Sequence, residues 1–343
     1  MMKDQLSLQL PNLNDYKQEF IKGGVTLPLP IVPFSETGLL SELPLPPSGK
    51  TGWPWTVETE PFPATLPDGS SYPKLSIVMP SYNQGQFIEE TIRSVLLQNY
   101  PNLEFVICDG GSGDETKKLL EKYSSWISFW QAEKDRGQGH AINLGFSLAS
   151  GVYYGWINSD DFYLPGCFHS VASYALNHFV DFIYGDGLII YNSEHQLSYW
   201  RSNLALDRYL RFGGLIASHS SFWKSNIHQP IWEEMNCNVD GELWIRLLPG
   251  RTKYHLKIPL GVFRVQPQAK TANDKYHHLW KKDDEAIANV YGNPPKIRSY
   301  LAYEFVYVQR LYKSLTNLLA HQSLKQVIQS CGWTDQVSEN IGN

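Results

Sequence analysis

Between residues 75 and 160 short apolar runs alternate with amphipathic stretches. Leu75–Met79 (LSIVM) is an apolar run of strand length. Phe87, Ile88, Ile92, Val95 and Leu96 then recur at helical spacing and predict a helix with one apolar face. Glu104–Cys108 (EFVIC) reads as a second buried strand and Ser128–Gln131 as a third. Ser112-Gly113-Asp114-Glu115 has the Ser-x-x-Glu pattern of a capping box and predicts that a helix opens there. Gln138–Ser150 predicts a helix stopped by Gly151. Val152–Ile157 (VYYGWI) predicts a fourth strand. Strands and helices alternating in this way imply βαβ units, hence an α/β fold with a mostly parallel sheet flanked by helices. From about residue 179 to 265 the pattern is mixed. Beyond Ala272, apolar residues at helical spacing (Leu279, Ala286, Ile287 and Val290, then Leu301, Phe305, Val308, Leu311, Tyr312 and Leu315) predict a C-terminal helical extension.

Proline separates the start of the chain from this pattern. Residues 1–74 hold twelve of the 21 prolines, in LPLPIVPF, LPLPPSG and PFPATLP, which favour extended polyproline conformations. The expected division is a Pro-rich N-terminal arm over 1–74, an α/β domain over 75–271 and a helical extension over 272–343. GKTGWPWT, with Trp53 and Trp55, is too aromatic for a plain linker and is expected to lie against the main domain.

Composition narrows the function. The 343 residues suffice for a large core without disulfide or metal staples. Net charge is −5, which argues against a nucleic-acid binder. Cys108, Cys167, Cys237 and Cys331 are far apart with no CxxC pair, so a zinc site built on them is not expected. No signal peptide and no run of 18 apolar residues is found, so the expected location is the cytoplasm, with peripheral contact at the inner face of a membrane left open. Aromatics reach 13%, a surplus that fits either core packing or stacking on flat ligands and sugar rings. Trp156 and Trp244 are expected in the core. Trp53, Trp55, Trp200, Trp223 and Trp232 are the expected sugar-stacking set.

Ligands of open α/β sheets bind beyond the carboxyl ends of the strands. Three such ends carry polar residues here: Pro80-Ser81-Tyr82-Asn83, Asp109-Gly110-Gly111 and Asn158-Ser159-Asp160-Asp161. An acidic residue ending a buried strand, as Asp109 does, commonly accepts hydrogen bonds from a ribose or base. Asp160 and Asp161 supply hard oxygen ligands, which suit Mg²⁺ or Mn²⁺ held jointly with substrate phosphates. DGGSGD is neither a P-loop nor a GxGxxG fingerprint.

PSYNQGQFIEETIRSVLLQNYPNLEFVICDGGSGDET, EKDRGQGHAINLGFSLASG, GWINSDDFYLPG, NVDGELWIRL and FRVQPQAKT, in that order, resemble the blocks of a family-2 glycosyltransferase with the GT-A fold, of the soluble, single-domain bacterial type. The resemblance covers roughly residues 75–271. It implies an inverting, metal-dependent transferase that moves one sugar from a nucleotide-sugar donor, UDP-linked by preference, to a hydroxyl of a glycan or lipid-linked acceptor. It places Pro80, Ser81, Tyr82, Asn83, Asp109, Asp135, Asn158 and Ser159 on the donor, with Asp109 near the base and Asn158 facing the ribose. It assigns Asp160 to the metal and Asp240 to the catalytic base. The alternative to the base is that Asp240 only caps the helix GELWIRLL. Two positions depart from the family pattern. Asn158 stands where the first Asp of a DxD is expected, and Gln266 stands where a histidine is common. His219, His277 and His278 are the candidate substitutes for that histidine. Two other readings compete: a catalytically inactive module that binds a nucleotide sugar or carbohydrate, which those departures favour, and a sugar-nucleotide pyrophosphorylase, which should carry basic residues where PSYNQG has none.

Overall fold

The computed structural model describes residues 8–191, 196–212, 216–271, 273–294, 300–333 and 338–339. Its centre is a run of parallel strands: β1 (Leu75–Ser81), β2 (Leu103–Asp109), β3 (Phe129–Ala132) and β4 (Tyr153–Trp156). They lie in the order β3-β2-β1-β4, with Ser81 opposite Asp109 and Asp109 opposite Ala132. All seven residues of β1 and of β2 are buried, as strands covered on both faces must be. The period of two divides their side chains cleanly. Ile77, Met79, Phe105 and Ile107 enter one core, and Val78, Val106 and Cys108 enter the core on the opposite face.

Helices cover each face. Ile88, Ile92, Val95 and Leu96 of α2 (Ile88–Leu96) fill the first core, with Leu120 of α3 (Thr116–Tyr123). Ala141, Ile142, Leu144 and Leu148 of α4 (Gln138–Leu148) fill the second. α4 lies so close to β1 that a Cβ on Gly145 would stand 2.4 Å from Val78 Cγ1. The α/β expectation therefore holds, and the GT-A arrangement of a curled, mostly parallel sheet with flanking helices is what the chain adopts.

Beyond β4 the sheet becomes mixed. It continues through β5 (Phe162–Tyr163), β6 (Phe182–Tyr191), β7 (Gln196–Trp200), β8 (Ser221–Lys224), the long β9 (Lys253–Val265) and β10 (Ser338–Glu339). β8 pairs antiparallel with both β4 and β6, while β9 runs parallel to β6. The helices of this half are α5 (Cys167–Asn177), α6 (Val239–Leu247), α7 (His277–Tyr291) and α8 (Tyr300–Ser330).

The N-terminal segment carries α1 (Leu13–Lys22), which packs on α4, and then runs across the domain. Polyproline-like backbone makes no internal hydrogen bonds, so its carbonyls need outside donors. Arg93 of α2 supplies them. Its buried guanidinium donates to the carbonyls of Pro44 (2.8 Å), Pro54 (2.9 Å) and Trp55 (3.0 Å). Trp53 is 1% exposed, and its Nε1 donates to Tyr163 O at 2.8 Å. Its backbone N–H donates to Cys331 O, so it also ties in the end of the C-terminal helix. Trp53→Ala should lower unfolding free energy by about 3–5 kcal/mol, the range for emptying a large aromatic site. Urea denaturation measures this, and a loss under about 1 kcal/mol would mean that the segment packs without contributing to the fold.

Two local expectations need correction. The capping box does not form. Ser112 Oγ instead donates to Asp109 Oδ2 at 2.6 Å, and α3 begins later, at Thr116, whose N–H is taken by Asp114 Oδ1. A buried carboxylate is a stronger acceptor for that hydroxyl than a helix terminus is a donor to it. The tryptophan assignment also changes. Trp53, Trp55, Trp223 and Trp232 are core residues. Trp223 is buried because Phe146, His228 and Trp244 pack on its ring at one face of the sheet.

Candidate active site

Turning the corner from strand to helix leaves polar groups at the carboxyl ends of β1, β2 and β4. They border a cavity of about 1010 Å³, whose far wall comes from α6, α7 and the segment after β9. Pro80, Ser81, Tyr82, Asp135, Asn158, Ser159, Asp160 and Asp240 all lie on its wall. Residues some 160 positions apart in the chain thus share one enclosure.

Asp109 and Asn83 are among the expected donor contacts that the cavity wall does not include. Asp109 is 1% exposed, and its carboxylate is taken up by its own turn, accepting from Gly111 N (3.1 Å), Ser112 N (2.8 Å) and Ser112 Oγ. Asn83 has a left-handed backbone (φ 52°) and clamps the neighbouring loop. Its N–H donates to Ser112 Oγ at 2.7 Å, and its Oδ1 accepts from Gly113 N at 2.9 Å. Both residues build the rim rather than face the space inside it. Gly110 does face the cavity, and a Cβ there would meet the Asp135 carboxylate at 2.9 Å. Asp135 is held by Gly137 N at 2.7 Å, and partial burial raises its pKa.

The departure at Asn158 has a physical reason. Its Oδ1 accepts from Gln138 Nε2 (2.9 Å) and Trp156 Nε1 (3.0 Å), while its Nδ2 donates to Asp161 Oδ2 (3.3 Å). An aspartate at 158 would set two carboxylates in contact. Asp161 is fully buried and also accepts from Arg264 N at 3.0 Å. Desolvation, and then the neighbouring Asp160, push its pKa well up. Asp160 is raised too, by desolvation, against the opposing effect of Gln266.

Gln266 sits where sequence reasoning left a gap. Its Nε2 donates to Asp160 Oδ2 at 2.8 Å, and its buried Oε1 has no hydrogen-bond partner. Ser81 Oγ, of a residue on the cavity wall, is another buried atom without a partner. Of the candidate histidines, His277 and His278 are exposed on α7. His219 does border the cavity, but burial lowers its pKa to about 3, so it stands there as neutral imidazole.

Asp240 lies in the first turn of α6, one residue after the helix begins at Val239. It is therefore not the cap residue, a position that Asn238 holds. Its Oδ1 accepts from Gly241 N at 2.9 Å, and desolvation raises its pKa to about 6. The helix terminus favours the anion, so burial outweighs the dipole here.

Two positions that sequence reasoning missed hold this wall together. Asp283 of α7, fully buried, accepts from three consecutive backbone N–H groups, Asn236 (2.9 Å), Cys237 (2.6 Å) and Asn238 (3.0 Å), which lead into α6. Lys270 Nζ donates to Asn236 O (2.6 Å) and Gln138 Oε1 (3.0 Å). For Asp283 the available signal was a charged residue inside an otherwise apolar-spaced helix, which does not identify its partner, and Lys270 lies in a turn outside any helix. The aromatic wall is also redistributed. Trp156 and Trp244, expected in the core alone, border the cavity as well, along with Trp200 and Trp280.

Charge on the wall is lopsided: among the described residues, Asp135, Asp160, Asp161, Asp240 and Asp284 face only Lys134 and Lys270. Among the described residues no group of three His, Cys, Asp or Glu side chains could hold a metal unaided, and no helix is long and apolar enough to cross a membrane.

Residues 76–230 match the family described as glycosyl transferase family 2. The chain is 37% identical over 120 residues to a UDP-Glc:alpha-D-GlcNAc-diphosphoundecaprenol beta-1,3-glucosyltransferase, WfgD, of Escherichia coli, covering 35% of this chain and 47% of that protein. It is 36% identical over 99 residues to the chondroitin synthase of Escherichia coli, 27% of this chain and 14% of that one. These matches span less than half of either relative. In fold it is similar to S. aureus TarS 1-349 in complex with UDP-GlcNAc, with a TM-score of 0.51, 16% identity, and coverage of 75% of this chain and 81% of that one. The match to glycosyl transferase family 2 thus takes in the three strand ends, at 80–82, 110 and 158–160, that form the rim of this cavity.

Proposed function

We propose that the protein is an inverting, metal-dependent glycosyltransferase that moves one sugar from a nucleotide-sugar donor to a hydroxyl acceptor. The observation that carries this reading is the shared cavity. It brings Asp160, at the end of the β4 strand, and Asp240, on α6, to one space wide enough for a donor and an acceptor sugar. Ser81, Tyr82 and Asp135 supply donor contacts on the β1 and β2 side, and Asn158 faces the ribose. Asp109 and Asn83 act on the donor indirectly, by fixing the loop that contains Gly110.

A wall this acidic repels a diphosphate unless a divalent cation lies between. The groups present fit Mn²⁺ or Mg²⁺ held by one carboxylate and completed by substrate phosphates. Asp160 provides that carboxylate, and the unpartnered Gln266 Oε1 beside it provides a neutral oxygen. When bound, the cation supplies charge stabilisation for the departing diphosphate. Asp240, with a pKa of about 6, is an anion at neutral pH and basic enough to take the proton of an acceptor hydroxyl. A single displacement needs no carboxylate nucleophile and inverts the anomeric centre.

UDP is the preferred nucleotide, because WfgD is named for UDP-Glc and the TarS structure holds UDP-GlcNAc. WfgD is also named for a diphosphoundecaprenol-linked substrate, which supports a lipid-linked or glycan acceptor met at the inner face of a membrane. The test is a panel of UDP-, GDP- and dTDP-sugars, with nucleoside diphosphate release followed with Mn²⁺ and with chelator. Release from one donor, lost on chelation, is expected. Donor binding without release would instead favour the inactive binding module, and release that ignores chelation would remove the metal from the account.

A further inference from the structure

Lys270 is a half-buried cation whose hydrogen-bond partners are neutral. Its Nζ is held by a carbonyl and a side-chain amide oxygen, and among the described residues no carboxylate forms an ion pair with it. An ammonium offers three donors, so two are used and one is left. Burial lowers its pKa below the ordinary lysine value. Asp283 and Asp160 are near enough to favour its charge, but neither is hydrogen-bonded to it, so its third donor is left for an anion arriving in the cavity.

Its position indicates which anion. The turn closed by Ala269 N to Gln266 O carries the chain from Gln266, on Asp160, to Lys270 on the cavity wall. Trp280 Nε1 of α7 donates to Lys270 O at 3.0 Å and fixes the turn from behind. Through Gln138, Lys270 also joins Asn158. The other cation on the wall, Lys134, is exposed.

We propose that Lys270 contacts the leaving diphosphate directly, as the protein's own cation in a site where Asn158 and Gln266 contribute no charge. This rests on the glycosyltransferase reading. In the transfer step the bond from the anomeric carbon to the diphosphate oxygen breaks, and its electron pair stays on that oxygen, beside Lys270. The acceptor oxygen forms the new bond to the anomeric carbon, and its proton passes to Asp240.

The test compares wild type, Lys270→Met and Lys270→Arg in the intact chain with Mn²⁺, after thermal melts establish folding. Affinities are measured by calorimetry for uridine, UMP and UDP, and for the guanosine and thymidine series. Lys270→Met should weaken the preferred diphosphate at least tenfold, weaken the monophosphate less and leave the nucleoside unchanged. It should also lower kcat with little change in acceptor KM, and Lys270→Arg should recover part of both losses. Equal weakening of nucleoside and diphosphate would reduce Lys270 to a structural tie and overturn the proposal, as would no weakening at all. If wild type binds no nucleoside diphosphate from any series, the glycosyltransferase reading itself fails.

Discussion

Asp240→Asn should lower sugar transfer by 10²–10⁴-fold, the usual contribution of a positioned general base. Donor affinity should stay within about twofold, because the substitution keeps size and hydrogen-bonding capacity and removes only basicity. The geometry makes that separation testable. Asp240 accepts a single local hydrogen bond, from Gly241 N, and its helix is held by other residues. Asp283 fixes the entry to α6, and the buried Glu242–Arg246 pair, with contacts at 2.6 and 2.8 Å, fixes its first turns. A folded variant with intact donor binding and transfer lowered by at least about 100-fold is therefore the expected result. Turnover near that of wild type would remove Asp240 from the mechanism. The same residue sets the pH profile. A base must be deprotonated to act, so kcat should be flat above the Asp240 pKa of about 6 and fall about tenfold per unit below it. Asp240→Asn should abolish that limb along with the rate.

Asp160→Asn should have opposite effects with and without metal. With Mn²⁺ present, nucleoside diphosphate affinity should fall by about 100-fold or more, since even groups that only support a metal ligand cost 10–100-fold. With chelator present, affinity should stay the same or rise, because a repelling charge has left an acidic wall. Calorimetry in both conditions measures the pair. A fall of equal size in both would mean that Asp160 contacts the donor without any metal. The neighbouring Asp161 cannot take over the role. It is fully buried and already occupied by Arg264 N and Asn158 Nδ2.

The parallel half of the sheet was legible because a strand buried on both faces leaves a short, nearly continuous apolar run, as in LSIVM and EFVIC. The rim was legible because polar residues directly follow those runs. What lay beyond reach depends on partners distant in the chain. Nothing near Ser112 reveals that its hydroxyl donates to Asp109 and accepts from Asn83 N. Nothing near Trp223 tells that Phe146 and Trp244 pack on its ring, or near Trp200 that its strand ends beside the cavity. Asp283 and Lys270 carry ordinary charged-residue signals within the C-terminal third. Their meaning comes from distant partners that fold back onto them, the backbone of 236–238 for both and the Gln138 side chain for Lys270. Asp240 and Asp160 were assigned by family resemblance, and the structure adds that they border the same cavity and why position 158 is an amide.

The most direct test is the anomeric form of the first product. Wild type is incubated with Mn²⁺ and its preferred α-linked nucleotide sugar, with water as the acceptor, and the released sugar is followed by proton NMR before mutarotation. Single displacement aided by Asp240 predicts the β anomer first, released at least about 100-fold more slowly by Asp240→Asn. Initial release of the α anomer, or equal release by the variant, would contradict the account.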